Sequence, residues 1–169
     1  ARLLAWLEHG HHGRMSWMSR EPERRSDPRK VLLGCRSVIS VGLNYYTDHR
    51  ADESPGHGRI ARYAWGPDYH RVFEERFQLE QAIQRLAPAA ATRWYVDTGP
   101  IMEKAWAQQA GLGWIGKHSN LVSARYGSWL LLGEILTTLE LPADEPATDL
   151  CGSCTVCMRA CPTGAISDA

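Results

Sequence analysis

Apolar and polar positions change rhythm along this chain of 169 residues, and the rhythm predicts its elements. Residues 1–9, ARLLAWLEH, space their apolar side chains as a helix does and stop at Gly10 and Gly13. A basic stretch punctuated by Pro22 and Pro28 follows and predicts irregular or briefly helical backbone. Residues 37–46, SVISVGLNYY, are rich in β-branched and aromatic side chains and predict a buried strand. Residues 47–59, TDHRADESPGHGR, are polar and broken by glycine and proline, which predicts a mobile loop. Asp68 then stands where it can cap a helix running to about Leu86. Val72, Leu79, Ile83 and Leu86 share one face of that helix, with Phe73 and Phe77 alongside.

Farther along, TRWYVD predicts a short strand ending at Asp97. TGPIMEKAWAQQAG predicts a helix with Pro100 in its first turn and Gly111 as its stop. NLVS, ARYG and SWLLLGEILTTL predict two strands joined by a tight turn. Strands interleaved with helices argue for a layered α/β or α+β fold, taken here as α+β, and PADEPATD (142–149) is a linker by composition. No repeat or low-complexity tract interrupts this order.

Composition narrows the class. An apolar share of 44% suits a chain with a buried core. Lys plus Arg equals Asp plus Glu at 19 each, so global charge gives no reason to expect nucleic acid or membrane. The local balance differs, because Arg14 to Arg36 holds seven basic residues against three acidic ones. The longest apolar run, SWLLLGEILTTLEL, is interrupted by Glu134 and is too short to span a bilayer. No secretory signal is visible, and Ala1 falls inside helix-like sequence, so residues are expected to precede it.

Four of the five cysteines crowd into Cys151, Cys154, Cys157 and Cys161-Pro162, the C-x2-C-x2-C-x3-C-P spacing of cluster-binding ferredoxins. Structural zinc sites instead take two well-separated cysteine pairs. Such crowding favours cluster ligation in a reducing compartment over disulfides, and hence the cytoplasm. In two-cluster proteins the fourth cysteine ligates the other cluster, so further cysteines are expected beyond residue 169. Cys35, in LLGCRSVIS, reads as a small buried hydrophobe.

The remaining candidates are ambiguous. Asp97, at a strand end before a proline-started helix, is placed to contact a ligand or merely to cap that helix. GLGWIGK offers close backbone approach, the flat Trp114 face and the Lys117 cation. HGHH (9–12) reads as a metal site or as a flexible surface cluster. No G-x-G-x-x-G turn follows a strand, which leaves a dinucleotide fold unsupported.

Four stretches in this order, RYAWGPDYH, YVDTGPIMEKAWAQQAGLGWIGK, GSWLLLGEILTT and CGSCTVCMRACPTGAI, resemble the epoxyqueuosine reductase family over nearly the whole chain. The resemblance implies a layered α/β cobalamin-binding domain over residues 1–141. The linker and first part of a ferredoxin-like module with two [4Fe–4S] clusters would occupy 142–169. The implied activity reduces epoxyqueuosine to queuosine at the wobble position of a tRNA with a GUN anticodon, fed by an external electron donor. A cytoplasmic monomer without membrane attachment is expected.

By the same resemblance Asp97 is the catalytic proton donor, aided in holding its proton by burial beside the macrocycle. Arg20, Ile60, Asp97, Leu121 and Leu132 lie near the corrinoid. Cys151, Cys154 and Cys157 ligate one cluster and Cys161 the other. Tyr69 and His70 approach the cofactor or nucleoside, or simply anchor their helix. Lys117 and the Arg14–Arg36 patch contact tRNA phosphates, or form a solvated face. Trp65 and Trp114 stack on bases, or line the core. The alternatives are another corrinoid reductase related to reductive dehalogenases, a non-catalytic ferredoxin-like carrier, and a zinc-binding tRNA-interaction module.

Overall fold

The computed structural model describes residues 2–167 except Glu53 and Phe77. Six α-helices are named in chain order: α1 (Arg2–Glu8), α2 (Pro22–Ser26), α3 (Tyr69–Arg76), α4 (Gln78–Leu86), α5 (Glu103–Gln109) and α6 (Val156–Ala160). The strands are β1 (Ser37–Asn44), β2 (Thr92–Tyr95), β3 (Trp114–Ile115), β4 (Leu121–Val122) and β5 (Leu130–Thr137). The mixture of helix and sheet agrees with the α+β expectation.

β5 is the centre of the main sheet, whose order is β1-β5-β2 with both pairings antiparallel. Its residues Gly133 to Thr137 are all buried, so this strand is covered on both faces. Alternation sends Leu132, Glu134 and Leu136 to one face and Gly133 and Ile135 to the other. On the first face Leu136 packs with Val31, Cys35 and Ile101, and Trp106 of α5 leans on that cluster. On the second, Phe73 of α3 comes so near the strand that a Cβ on Gly133 would lie 2.9 Å from its ring. Only glycine lets α3 sit this close.

Several expectations change. The helix expected from Asp68 to about Leu86 is helical over Tyr69–Arg76 and Gln78–Leu86, and Phe77, placed on its apolar face, lies outside the described residues. Phe73 and Ile83 are buried as expected, but Leu79 is 39% and Leu86 87% exposed. The apolar stripe therefore meets the sheet along only part of its length. Pro100 does not open a helix: α5 starts at Glu103, because Ile101 is drawn into the core ahead of it. Gly111 does stop the chain after α5, with φ +75°. The segment before β5 forms the expected tight turn, closed by paired bonds between Ser123 and Gly127. Its two strands do not pair with each other, since β4 pairs with β3 in a separate two-stranded sheet. Cys35 is buried, and burial pushes its thiol up. The 142–149 stretch has no regular structure, yet Ala147 N donates to Gln108 O at the end of α5 (2.9 Å).

Candidate active site

Asp97 follows β2 at the point where the strand leaves the sheet. The register pairing Tyr95 with Glu134 runs toward Leu132 as the chain reaches Asp97, so these two share an end of the sheet. Asp97 has φ +48°, and Thr98 N donates to Val96 O (2.7 Å), which closes a γ-turn around it. A non-glycine residue at positive φ in a γ-turn is strained and persists only where its surroundings over-determine it. Those surroundings are visible. Asp97 N donates to Glu103 Oε1 (2.6 Å). Tyr69 donates from its hydroxyl to Asp97 Oδ2. His70 Nε2 lies 3.2 Å from Asp97 Oδ1. Gly99 folds over the ring of Tyr95 so tightly that a Cβ there would come within 2.2 Å of it. Asp97 is not a helix cap, because Met102 occupies that position in front of α5.

Tyr69 and His70 open α3, where Asp68 Oδ1 accepts the backbone N–H of His70 (3.0 Å). The same oxygen lies 2.7 Å from His70 Nδ1, so the imidazole stands between two carboxylates. The bond to Asp68, then that to Asp97, raises the His70 pKa above its ordinary value and favours an imidazolium with both nitrogens donating. Asp68 is held below the usual carboxylate range by the same contact. Burial, helped by the bond to Asp97, raises the Tyr69 hydroxyl and keeps it a donor. The expected burial of Asp97 is not supplied by the chain itself, since its side chain is 51% exposed. What surrounds it is a set of donors.

Two further carboxyl groups lie behind this turn. Burial raises Glu103, and burial with the charge of Glu103 pushes Glu134 up to about 9. Beside the site a cavity of ≈ 400 Å³ is lined by Tyr45, Arg62, Tyr63, Trp65 and Tyr69 among others. The Arg62 guanidinium stands 4.9 Å from the Trp129 ring and 5.2 Å from those of Tyr46 and Trp65. Of the other candidates, Leu132 sits on β5, half-buried, opposite exposed Gly42. Ile60 is 67% exposed, and its carbonyl accepts from Trp65 Nε1 (2.9 Å). Leu121 is buried in the second sheet, and Arg20 is exposed after the Ser16–Ser19 turn. The structure thus joins Asp97 to Leu132 and leaves Arg20, Ile60 and Leu121 on three other elements.

The cysteine loop is tied to the GLGWIGK segment. Trp114 Nε1 donates to Cys151 Sγ (3.4 Å), while Lys117 Nζ donates to Gly152 O (3.0 Å) and Cys154 O (3.1 Å). The cation considered for a tRNA surface is spent here on the loop's carbonyls. Thr163 lowers the Cys161 thiol to about 7. Among the described residues no three His, Cys, Asp or Glu side chains are gathered closely enough to hold a metal ion. That includes HGHH, where His9 Nδ1 donates to Ala5 O (2.6 Å) and its ring stacks on His11. The Arg14–Arg36 patch is partly self-neutralised, through Arg24–Glu21 and Arg29–Asp27. Sequence reasoning missed Arg62, Glu103 and Glu134. The one signal available was an acidic residue inside the apolar β5 run.

Comparison with known proteins follows the same two regions. Residues 25–98 match the family described as epoxyqueuosine reductase QueG, DUF1730, and residues 147–167 match a 4Fe-4S binding domain. The epoxyqueuosine reductase of Synechocystis sp. is 51% identical over 166 residues, which are 98% of this chain and 57% of that protein. A solved epoxyqueuosine reductase with an epoxyqueuosine-modified tRNA-Tyr stem loop has 33% identity and a TM-score of 0.76, over 87% of this chain and 40% of that one. The epoxyqueuosine reductase from Bacillus subtilis, with an aspartate-bearing catalytic loop swung out of its active site, has 32% identity and a TM-score of 0.75 over the same shares. The chain spans about half the length of the curated relatives it matches. Among the described residues no helix is long and apolar enough to cross a membrane.

Proposed function

We propose that this chain, similar to epoxyqueuosine reductases over nearly its whole length, forms part of an enzyme reducing epoxyqueuosine to queuosine in tRNA. The observation that carries the proposal is the Asp97 turn, a strained, exposed carboxylate with two donors converging on it, beside an open sheet end. The catalytic loop of the Bacillus subtilis relative bears an aspartate, and Asp97 is the loop carboxylate here that fits that description.

The chain's own residues fit the cofactors this reading needs. Four cysteines at ferredoxin spacing are the donor set of [4Fe–4S] clusters, with Cys151, Cys154 and Cys157 holding one and Cys161 contributing to a second. On the sheet beside Asp97, Leu132 is half-buried and faces Gly42, which offers no side chain. Leu132 would be the residue of this sheet end to hold cobalamin, with Ile60, Arg20 and Leu121 contributing from other parts of the chain. Residues 1–141 then hold the corrinoid, and 142–169 begin the cluster module.

Converting an epoxide to an alkene and water consumes two electrons and two protons. When bound, cobalamin and the clusters supply the electron chemistry. The protein's part is to orient the ring and deliver protons. Asp97 protonates the departing oxygen and is recharged through His70 Nε2, while Tyr69 fixes the carboxylate by its second oxygen. The aromatic cavity beside Tyr69, with Trp65 in its wall, suits an unstacked base of the anticodon loop. The reading places the enzyme in the cytoplasm as a monomer fed by an external donor.

The experiment is turnover by the full-length, cofactor-loaded protein. An anticodon stem loop carrying epoxyqueuosine should be converted to queuosine, with corrin and iron–sulfur absorbance both present. Iron without cobalamin binding, or activity only on halogenated organics, would refute the proposal.

A further inference from the structure

Glu134 is fully buried in the middle of β5, and neither of its carboxyl oxygens has a hydrogen-bond partner. Ser40, directly opposite on β1, has an equally buried and unpartnered hydroxyl. Tyr95, opposite on β2, completes the row, and directly opposed residues of antiparallel strands share a face. The helix covering that face is α5, whose first residue is Glu103. Glu103 in turn accepts the Asp97 N–H. The orphaned oxygens of Ser40 and Glu134 thus lie on the face covered by the helix that begins with the group fastening the candidate catalytic turn.

We infer that Glu103 is a positioning residue whose carboxylate holds Asp97 in its strained turn, and that Glu134 behind it keeps a proton so that Glu103 alone carries the charge. The inference deepens the proposed function and rests on it for its catalytic consequence only. Two carboxylates in one dry region cannot both ionise cheaply. The negative charge settles where it is solvated best. Glu103 has the Asp97 N–H at 2.6 Å and the Lys104 and Arg25 charges within electrostatic reach, against Asp97 itself. Glu134 has none of these, and an unpartnered buried carboxylate is far costlier than an unpartnered acid. Glu103 therefore stays the anion, and an anion makes the stronger acceptor for a backbone N–H. That bond offsets the positive φ of Asp97, and the carboxylate is presented to Tyr69 and His70.

The test uses the full-length, loaded enzyme and three variants. Hydrogen exchange at the Asp97 amide should quicken by on the order of tenfold or more in Glu103→Leu, the loss of one charge-assisted bond. The kcat on an epoxyqueuosine stem loop should fall by on the order of 100-fold through misplacement of the acid, with cobalamin binding retained. Glu103→Gln, which keeps an acceptor oxygen, should recover most of both losses. In infrared difference spectra at neutral pH, wild type should show the carbonyl stretch of a protonated carboxylic acid that Glu134→Gln lacks. Unchanged exchange in Glu103→Leu, a Gln variant no better than Leu, or absence of the protonated-acid band would overturn the inference. If exchange responds as expected while wild type leaves epoxyqueuosine intact, the proposed function fails and the positioning role stands.

Discussion

Asp97 and the four cysteines are all presented on loops, but the two loops are held in opposite ways. The Asp97 turn is fastened from every side, by Glu103 on its backbone, Tyr69 and His70 on its carboxylate, and Gly99 against Tyr95. The cysteine loop is tethered to the rest of the chain by Trp114 and Lys117, and its sulfurs are not brought together. A proton donor must be pre-organised by the protein, because no other group will place it. Cluster ligands are organised by what they bind, as metal affinity and local folding are one free energy. On the proposed function, the strain therefore sits at the acid, and the freedom sits at the thiols.

The comparison breaks most sharply at a cysteine. Cys157→Ser should lose most of the iron bound at that cluster while hydrogen exchange around Asp97 stays as in wild type; iron analysis and exchange on one preparation check both. If the Asp97 turn loosened as well, the two regions would not be independent.

Glu134 gives the next effect. Its folded-state value near 9 lies above the ordinary 4.5, so the folded chain binds a proton the unfolded chain releases. Its contribution is fully present below pH 4.5 and is lost as pH rises toward 9. The slope reaches about 1.4 kcal/mol per pH unit. Glu134→Gln should remove that slope, so the variant gains on wild type with rising pH in urea titrations. Parallel curves would mean that Glu134 is ionised in the fold.

The smallest effect belongs to Lys117. Replacing it with Met removes two bonds to the cysteine loop, worth about 1 kcal/mol each. Cluster loss to a chelator should quicken several-fold, with little change in thermal midpoint. A large fall in midpoint would show that the loop supports the fold rather than hanging from it.

How much of this the sequence disclosed follows from how local each feature is. The β-branched run of β1, the short β2 and the Gly111 stop depend on neighbours in sequence, and the structure agrees with them. Partner choice between strands is long-range, so β4 and β5 looked like a hairpin until β3 claimed β4. Pro100 carried a helix-start signal that the burial of Ile101 overrode. Asp97 was found by position and resemblance, but nothing local announces a γ-turn at a non-glycine residue. Glu134 first served only to exclude a membrane span. An acidic residue inside a strand buried on both faces was itself the signal of an unpartnered buried carboxyl group.

The claim that Asp97 is the proton donor is tested most directly by Asp97→Asn in the full-length, cofactor-loaded enzyme. Single-turnover conversion of an epoxyqueuosine stem loop should fall by a factor on the order of 100 or more, with corrin and cluster absorbance unchanged. Conversion near the wild-type rate with both cofactors bound would contradict the account.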